Sequence, residues 1–322
     1  MEERMLEVSH LKKYYPVSGG ILRKAAHYVK AVDDVSFTIE KGTTLGLVGE
    51  SGCGKTTVGR TILRLHDVTG GTVKFNGKDL SKLRGEELRG LRPKMQMIFQ
   101  DPYSSLSPRM PVGEIIGEAV KEHRIVPPSQ YRAYIAKVMR DCGLQPQYFY
   151  RYPHEFSGGQ RQRICIARAV AVNPELIICD EPVSALDVSI QSQIINLMMD
   201  LQKQFRYTYL FISHDLSVVE HISQKVGVMY LGSMAEIGGR EAIFKNPLHP
   251  YTKALLSSVP MPDPSYRMNR IILKGDIPSP IDPPSGCKFR TRCGSCMDIC
   301  AQVVPELREY EPGHSVACHL YR

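Results

Sequence analysis

The spacing G-x-x-x-x-G-K-T, spelled here Gly49-Glu50-Ser51-Gly52-Cys53-Gly54-Lys55-Thr56, leaves few architectures open to this chain. It follows a compact apolar run at 44–48, read as a buried strand, and it opens a segment at 56–65 that reads as a helix. A strand, a glycine-rich turn and a helix in that order form a phosphate-binding loop. Glycines let the backbone curl until successive N–H groups face one anion, and the helix N-terminus adds positive potential. Lys55 is placed to reach β- and γ-phosphates, and the Thr56 hydroxyl to ligate Mg²⁺. The cradle is assigned to Gly49, Ser51, Gly52, Cys53, Gly54, Lys55, Thr56 and Thr57.

A second element complements the first. Leu176-Ile177-Ile178-Cys179 reads as a buried strand and ends in Asp180-Glu181. Asp180 suits Mg²⁺ or its water shell, and Glu181, one step on, suits polarising an attacking water as general base. Around these two elements the sequence alternates. Strand signals occupy 6–11, 31–40, 72–75 and 95–99, and return at 209–212 and 225–230. Between them, 112–121, 131–142 and 158–172 carry helical spacing. The reading is an α/β core of residues 1–100 and 174–245 with a parallel sheet, interrupted by a helical subdomain at 101–173. From 246 to 322 prolines multiply, among them Pro260, Pro262 and Pro264, and the tail is expected to be irregular and cysteine-rich.

Composition narrows the class further. The chain has 322 residues, 43% hydrophobic and 23% charged, enough for a large domain and an appendage. Its net charge of +8 is scattered rather than clustered, which argues against a nucleic-acid partner. No apolar run approaches the ~18–20 residues that cross a bilayer. The charged start, Met1-Glu2-Glu3-Arg4, lacks a secretory signal, so a cytosolic location is expected.

Phe156-Ser157-Gly158-Gly159-Gln160-Arg161-Gln162-Arg163 resembles the signature sequence of ABC-type ATPases, and Ser157 precedes Asp180 by 23 residues, as in that family. Chemically the segment is a second anion cradle, with Ser157, Gly158, Gly159 and Gln160 at a helix start. The resemblance implies a P-loop NTPase core of the ABC kind. It makes Gln100 the glutamine that senses Mg²⁺ and leads to the membrane partners. Ser184-Ala185-Leu186-Asp187 becomes the loop after the acid strand, and His214 the switch histidine that contacts γ-phosphate. Tyr15 is the implied adenine-stacking aromatic, with Tyr14 a close competitor. The stretches at 100–110, 152–156 and 246–256 look like ATPases of the dipeptide, oligopeptide and nickel importer group, and residues 54–60 resemble the second ATPase of such a permease.

That resemblance implies an ATP- and Mg²⁺-dependent ATPase energising peptide import. Its alternatives are a nickel or other small-solute importer, or an ABC ATPase acting on nucleic acid. The implied partners are a sister ATPase in a heterodimer, two transmembrane permease subunits and, indirectly, a solute-binding protein. The chain would touch the membrane only through them, at the cytoplasmic face of the inner membrane. Of nine cysteines, five fall in the last 36 residues: Cys287, Cys293, Cys296, Cys300 and Cys318. In a cytosolic chain such crowding points to metal before disulfides. The family tail pattern maps onto Cys287, Cys293, Cys300 and Cys318 and implies a [4Fe–4S] cluster, with Zn²⁺ as the alternative. Spacing alone would instead bring in Cys296.

Overall fold

Strands buried on both faces read as unbroken apolar runs, whereas strands with one solvated face alternate. Both kinds occur in the computed structural model, which describes residues 3–17, 27–259 and 270–321. Met1, Glu2, Pro260, Pro262 and Pro264 lie outside the described residues. The strands are β1 (Arg4–Val17), β2 (His27–Glu40), β3 (Thr44–Val48), β4 (Gly70–Phe75), β5 (Lys78–Asp79), β6 (Met95–Ile98), β7 (Leu176–Asp180), β8 (Thr208–Ile212), β9 (Lys225–Tyr230), β10 (Ser233–Gly239), β11 (Arg308–Glu311) and β12 (His314–Val316). The helices are α1 (Lys55–Ile62), α2 (Gly85–Leu91), α3 (Pro102–Ser105), α4 (Val112–Glu122), α5 (Tyr131–Asp141), α6 (Gly158–Val170), α7 (Val188–Phe205), α8 (Leu216–Ile222), α9 (Arg240–Lys245), α10 (Pro250–Ser257) and α11 (Ile299–Gln302). Among the described residues no helix is long and apolar enough to cross a membrane.

Two compact units divide the chain: Met1–Met5, Ile39–Thr44 and Lys82–Ile212 form the first, and Leu6–Thr38, Leu45–Ser81 and Ser213–Arg322 the second. In the first unit β6, β7 and β8 pair in parallel, with Ile178 opposite both Met97 and Leu210. Every residue of β7 and β8 is buried, as their apolar runs require. Helices α3 to α6 follow one another between β6 and β7. The apolar stripe of α4 (Ile115, Ile116, Val120) and that of α5 (Ile135, Val138, Met139) are buried, with the spacing of an amphipathic helix.

The second unit holds two sheets. One runs in the order β2-β1-β4-β5, with β4 antiparallel to both β1 and β5, and buries Leu6, Val8 and Leu11 from β1 and Val32, Val35 and Phe37 from β2. Their alternation with polar residues matches a half-covered sheet. In the other, β3 pairs in parallel with β9, then β10, β12 and β11 continue antiparallel.

The tail departs from its expected irregularity. Residues 250–257 form α10, and β12 pairs with β10, Glu236 opposite Val316. The Ala317 N–H also donates to the Ala235 carbonyl at 2.8 Å. The tail is therefore partly a sheet extension: β10 offers an edge whose N–H and C=O groups must be satisfied, and β12 satisfies them.

Candidate active site

The second unit carries the phosphate loop between β3 and α1. Gly49 and Gly54 both have left-handed backbones, φ 149° and 105°. A Cβ at Gly49 would lie 2.2 Å from the Met229 carbonyl oxygen, and one at Gly54 would lie 2.1 Å from that of Ala31, so no other residue fits either place. Lys55 is 5% exposed, and its Nζ donates to the carbonyls of Gly49 at 2.7 Å and Glu50 at 3.1 Å. No side chain caps the start of α1, and its first turn holds no acid, so those N–H groups can face an anion. Cys53 packs into the loop at 5% exposure, and burial pushes its thiol above the ordinary range, which leaves it a neutral filler rather than a nucleophile.

Thr56 and Thr57 lie in the first turn of α1. Tyr15 comes to the same helix: burial raises its hydroxyl, and Arg60 and a hydrogen bond with Thr57 partly offset that shift. Its ring meets that of His66 edge-on, centroids 5.8 Å apart. Tyr14 is committed elsewhere, since its hydroxyl donates to Asp33, which also takes Lys288 Nζ at 2.8 Å. His214 is exposed, on backbone pinned from both sides. The Ser213 N–H donates to the Leu47 carbonyl at 3.2 Å, and Asp215 caps α8 through the N–H groups of Ser217 and Val218.

The first unit carries the acid element. Asp180 closes β7 at 1% exposure. Glu181 follows with a left-handed backbone, φ 46°, a strained place for a branched-out carboxylate that costs on the order of 1 kcal/mol. The Glu181 N–H holds the turn by donating to the Ile212 carbonyl at 3.0 Å, and Ser184 Oγ donates back to the Glu181 carbonyl at 3.1 Å. Gln100 Nε2 donates to Glu181 Oε2 at 2.9 Å, which brings together two residues 81 positions apart. At the start of α6, Ser157 Oγ accepts from the Gln160 N–H and Gln160 Oε1 accepts from the Ser157 N–H, a reciprocal cap. Gln160 is thus engaged in capping the helix start.

The cysteine tail answers its expectation differently. Among the described residues no group of three or more His, Cys, Asp and Glu side chains is placed to hold a metal ion. Neither the [4Fe–4S] cluster nor the alternative Zn²⁺ site expected of Cys287, Cys293, Cys300 and Cys318 is supported by the arrangement of these residues. Neutral thiols attract one another weakly, so spacing in sequence does not by itself draw them into a ligand shell. They are nonetheless neighbours. Burial pushes the Cys287 thiol up to about 11, and Cys300, Cys318 and Cys293 each push it in the same direction. The Cys287 N–H donates to the Cys300 carbonyl at 2.8 Å. Cys300 is buried, whereas Cys296 is exposed.

Sequence reasoning missed the groups that hold the loop. Arg292 Nη1 and Nη2 donate to the two carboxylate oxygens of Glu50 at 2.7 and 3.0 Å. The Glu50 N–H donates to Tyr251 Oη at 2.9 Å. The one available signal was the place of Arg292 directly before Cys293, a cysteine of the tail pattern.

A glycine-rich phosphate loop, an acid strand end and a capped Ser-Gly-Gly helix start on parallel β-sheets define an ABC-type ATPase. The family description "ABC transporter" matches residues 32–184, and "Oligopeptide/dipeptide transporter, C-terminal region" matches residues 235–300. The chain is 54% identical to the oligopeptide transport ATP-binding protein AppF of Bacillus subtilis (strain 168), over 99% of this chain and 98% of that one. It is 49% identical to a probable peptide ABC transporter ATP-binding protein of Sinorhizobium fredii (strain NBRC 101917 / NGR234), over 99% and 91%. Among solved structures it is similar to a dimeric ATP-binding cassette in a post-hydrolysis state bound to ADP and Pi, with TM-score 0.65, 25% identity, and coverage of 73% of this chain and 99% of that one. The chain belongs to the ATP-binding proteins of ABC-type oligopeptide and peptide transporters.

Proposed function

We propose that this chain hydrolyses ATP to drive uptake of di- and oligopeptides through two transmembrane permease subunits, paired with a sister ATPase and fed by a solute-binding protein. It works at the cytoplasmic face of the inner membrane and touches the bilayer only through those partners. The observation that carries the ATPase reading is the loop itself: Lys55 is buried against two loop carbonyls, those of Gly49 and Glu50, at the uncapped start of α1. The match of 235–300 to the oligopeptide/dipeptide C-terminal region supports peptides over nickel as the cargo.

In this reading Lys55 meets the β- and γ-phosphates, within N–H groups supplied by Gly49, Ser51, Gly52, Cys53, Gly54 and Thr57. Thr56, Gln100 and Asp180 hold Mg²⁺, a fit supported by their oxygen donors and by the buried carboxylate of Asp180. Bound there, Mg²⁺ supplies charge neutralisation on the phosphate oxygens. Tyr15 stacks on adenine; the commitment of Tyr14 to Asp33 supports that choice. Glu181 takes the proton of the attacking water, and Gln100 holds the Glu181 carboxylate in place. His214 contacts the γ-phosphate. Ser157, Gly158, Gly159 and Gln160 serve the nucleotide bound to the partner ATPase.

One chain has one loop and one signature helix start, and in this reading the two close on different nucleotides. The purified chain should therefore hydrolyse ATP slowly, with a specific rate that climbs as its concentration rises and climbs further on adding the sister subunit and permease. Phosphate release measured across a dilution series, with mass determined by light scattering, checks this; full-rate turnover by a monomer would contradict it.

The tail cysteines extend the proposal. Cys287, Cys293, Cys300 and Cys318 share one neighbourhood, which the exposed Cys296 also borders beside Cys293 and Cys300. The resemblance of the tail pattern puts [4Fe–4S] before zinc, as a structural centre in a proline-rich tail. Chain purified anaerobically should contain iron and sulfide. Serine at any of the four positions should remove both, and Cys296→Ser should retain them. Stoichiometric zinc without sulfide would replace the cluster reading.

A further inference from the structure

Glu50 is an unexpected residue in an anion-binding loop, because its carboxylate lies one position from Gly49 and repels the phosphates that the loop must attract. The structure shows how this charge is managed. Arg292 grips it with two parallel hydrogen bonds, at 2.7 and 3.0 Å, and its side chain is only 9% exposed. Such a fork-to-fork pair fixes direction as well as charge. The guanidinium also lies 5.9 Å from the centre of the Tyr230 ring. Tyr230 packs with Tyr251 and Phe289, their centroids 4.8 and 5.1 Å away, so Arg292 stands on an aromatic floor. Tyr251, fully buried, accepts from the Glu50 N–H at 2.9 Å, and the Glu50 carbonyl takes Lys55 at 3.1 Å. One loop residue is thus held at its carboxylate, its N–H and its carbonyl, and two of the three holders come from beyond residue 246.

We propose that Arg292 is a positioning residue for nucleotide: it neutralises Glu50 and turns it away from the phosphates, so that the loop N–H groups and Lys55 present an unopposed cradle. The proposal rests on the reading of the loop as the ATP phosphate site. It also gives the tail a part in ATP binding that its distance in sequence conceals. Lys288 follows the same design four residues earlier. Its Nζ donates to Asp33 at 2.8 Å, to the Leu231 carbonyl at 3.1 Å and to Ser233 Oγ at 2.7 Å, and Asp33 in turn receives Tyr14, the neighbour of Tyr15.

The test compares Arg292→Met, Glu50→Gln and the double variant in the full chain, by equilibrium binding of ATP with Mg²⁺ and by thermal unfolding without nucleotide. Arg292→Met leaves a bare carboxylate beside the phosphates and should weaken ATP binding roughly tenfold or more. Glu50→Gln removes the charge together with its partner's task and should weaken it less. The double variant should return to the affinity of Glu50→Gln alone, a rescue that a purely architectural role for Arg292 would not produce. Wild-type affinity in Arg292→Met, or a double variant as weak as Arg292→Met, overturns the proposal. The double variant leaves no unpaired buried charge, so it reports even where Arg292→Met unfolds. Lys55→Ala runs alongside: normal ATP binding in that variant would instead overturn the loop as the phosphate site.

Discussion

Glu181→Gln should bind ATP with near wild-type affinity and hydrolyse it on the order of 10²–10⁴-fold more slowly, the range that a positioned general base supplies. The substitution keeps volume and an oxygen that can accept from Gln100 Nε2, which now reaches Glu181 Oε2 at 2.9 Å. It keeps the turn as well, because that turn is held by main-chain groups: the Glu181 N–H on Ile212, and its carbonyl under Ser184. What disappears is the capacity to take a proton. The left-handed backbone at Glu181 supports a role that depends on direction, since a strained conformation survives only where its surroundings over-determine it. Single-turnover phosphate release and equilibrium ATP binding, measured on the assembled transporter, separate the two effects. Unchanged turnover would mean that another group takes the proton.

Lys55→Ala should show the opposite division, with ATP binding itself lost. The ammonium is buried at 5% exposure within the loop, and its present partners are the carbonyls of Gly49 and Glu50. A charged hydrogen bond of this kind contributes about 1.5–3 kcal/mol, so losing its bonds to two phosphates should raise the ATP dissociation constant by roughly a hundredfold or more. The bonds lost to Gly49, Glu50 and Cys53 all lie within the loop, outside the strands and helices, so the nucleotide-free variant should keep its circular dichroism spectrum. Titration of the variant with a fluorescent ATP analogue checks the result; wild-type affinity would remove Lys55 from the phosphate site.

Much of this was legible because the signals are local. A phosphate loop needs glycines where φ is positive and a lysine at fixed spacing, and those demands are met within eight residues. The buried strands β3, β7 and β8 announced themselves as apolar runs, and the stripe of α4 as a helical period. Pairing over long separations left no such mark. β11 and β12, with the sequences REYE and HSV, are too short and polar to carry a period of their own. They exist as strands because β10 presents an edge to be paired. Glu236 within β10 is fully buried, taking the N–H groups of Leu248 and His249 and the ring of His314 at 2.7 Å, partners that no local pattern around it announces.

The choice between Tyr14 and Tyr15 shows the same boundary at the site. Adjacent tyrosines on one strand are chemically alike in sequence, and alternation alone says only that they point to opposite faces. Asp33, itself held by Lys288 255 residues further on, takes the Tyr14 hydroxyl, while Tyr15 lies beside Thr57. Sequence by itself determined the chemistry available: a phosphate cradle, a carboxylate pair, a Ser-Gly-Gly helix start and a thiol-rich tail. Tertiary structure alone decided how a carboxylate can sit inside an anion site, because the arginine that neutralises Glu50 lies 242 residues away and only folding brings it within 2.7 Å.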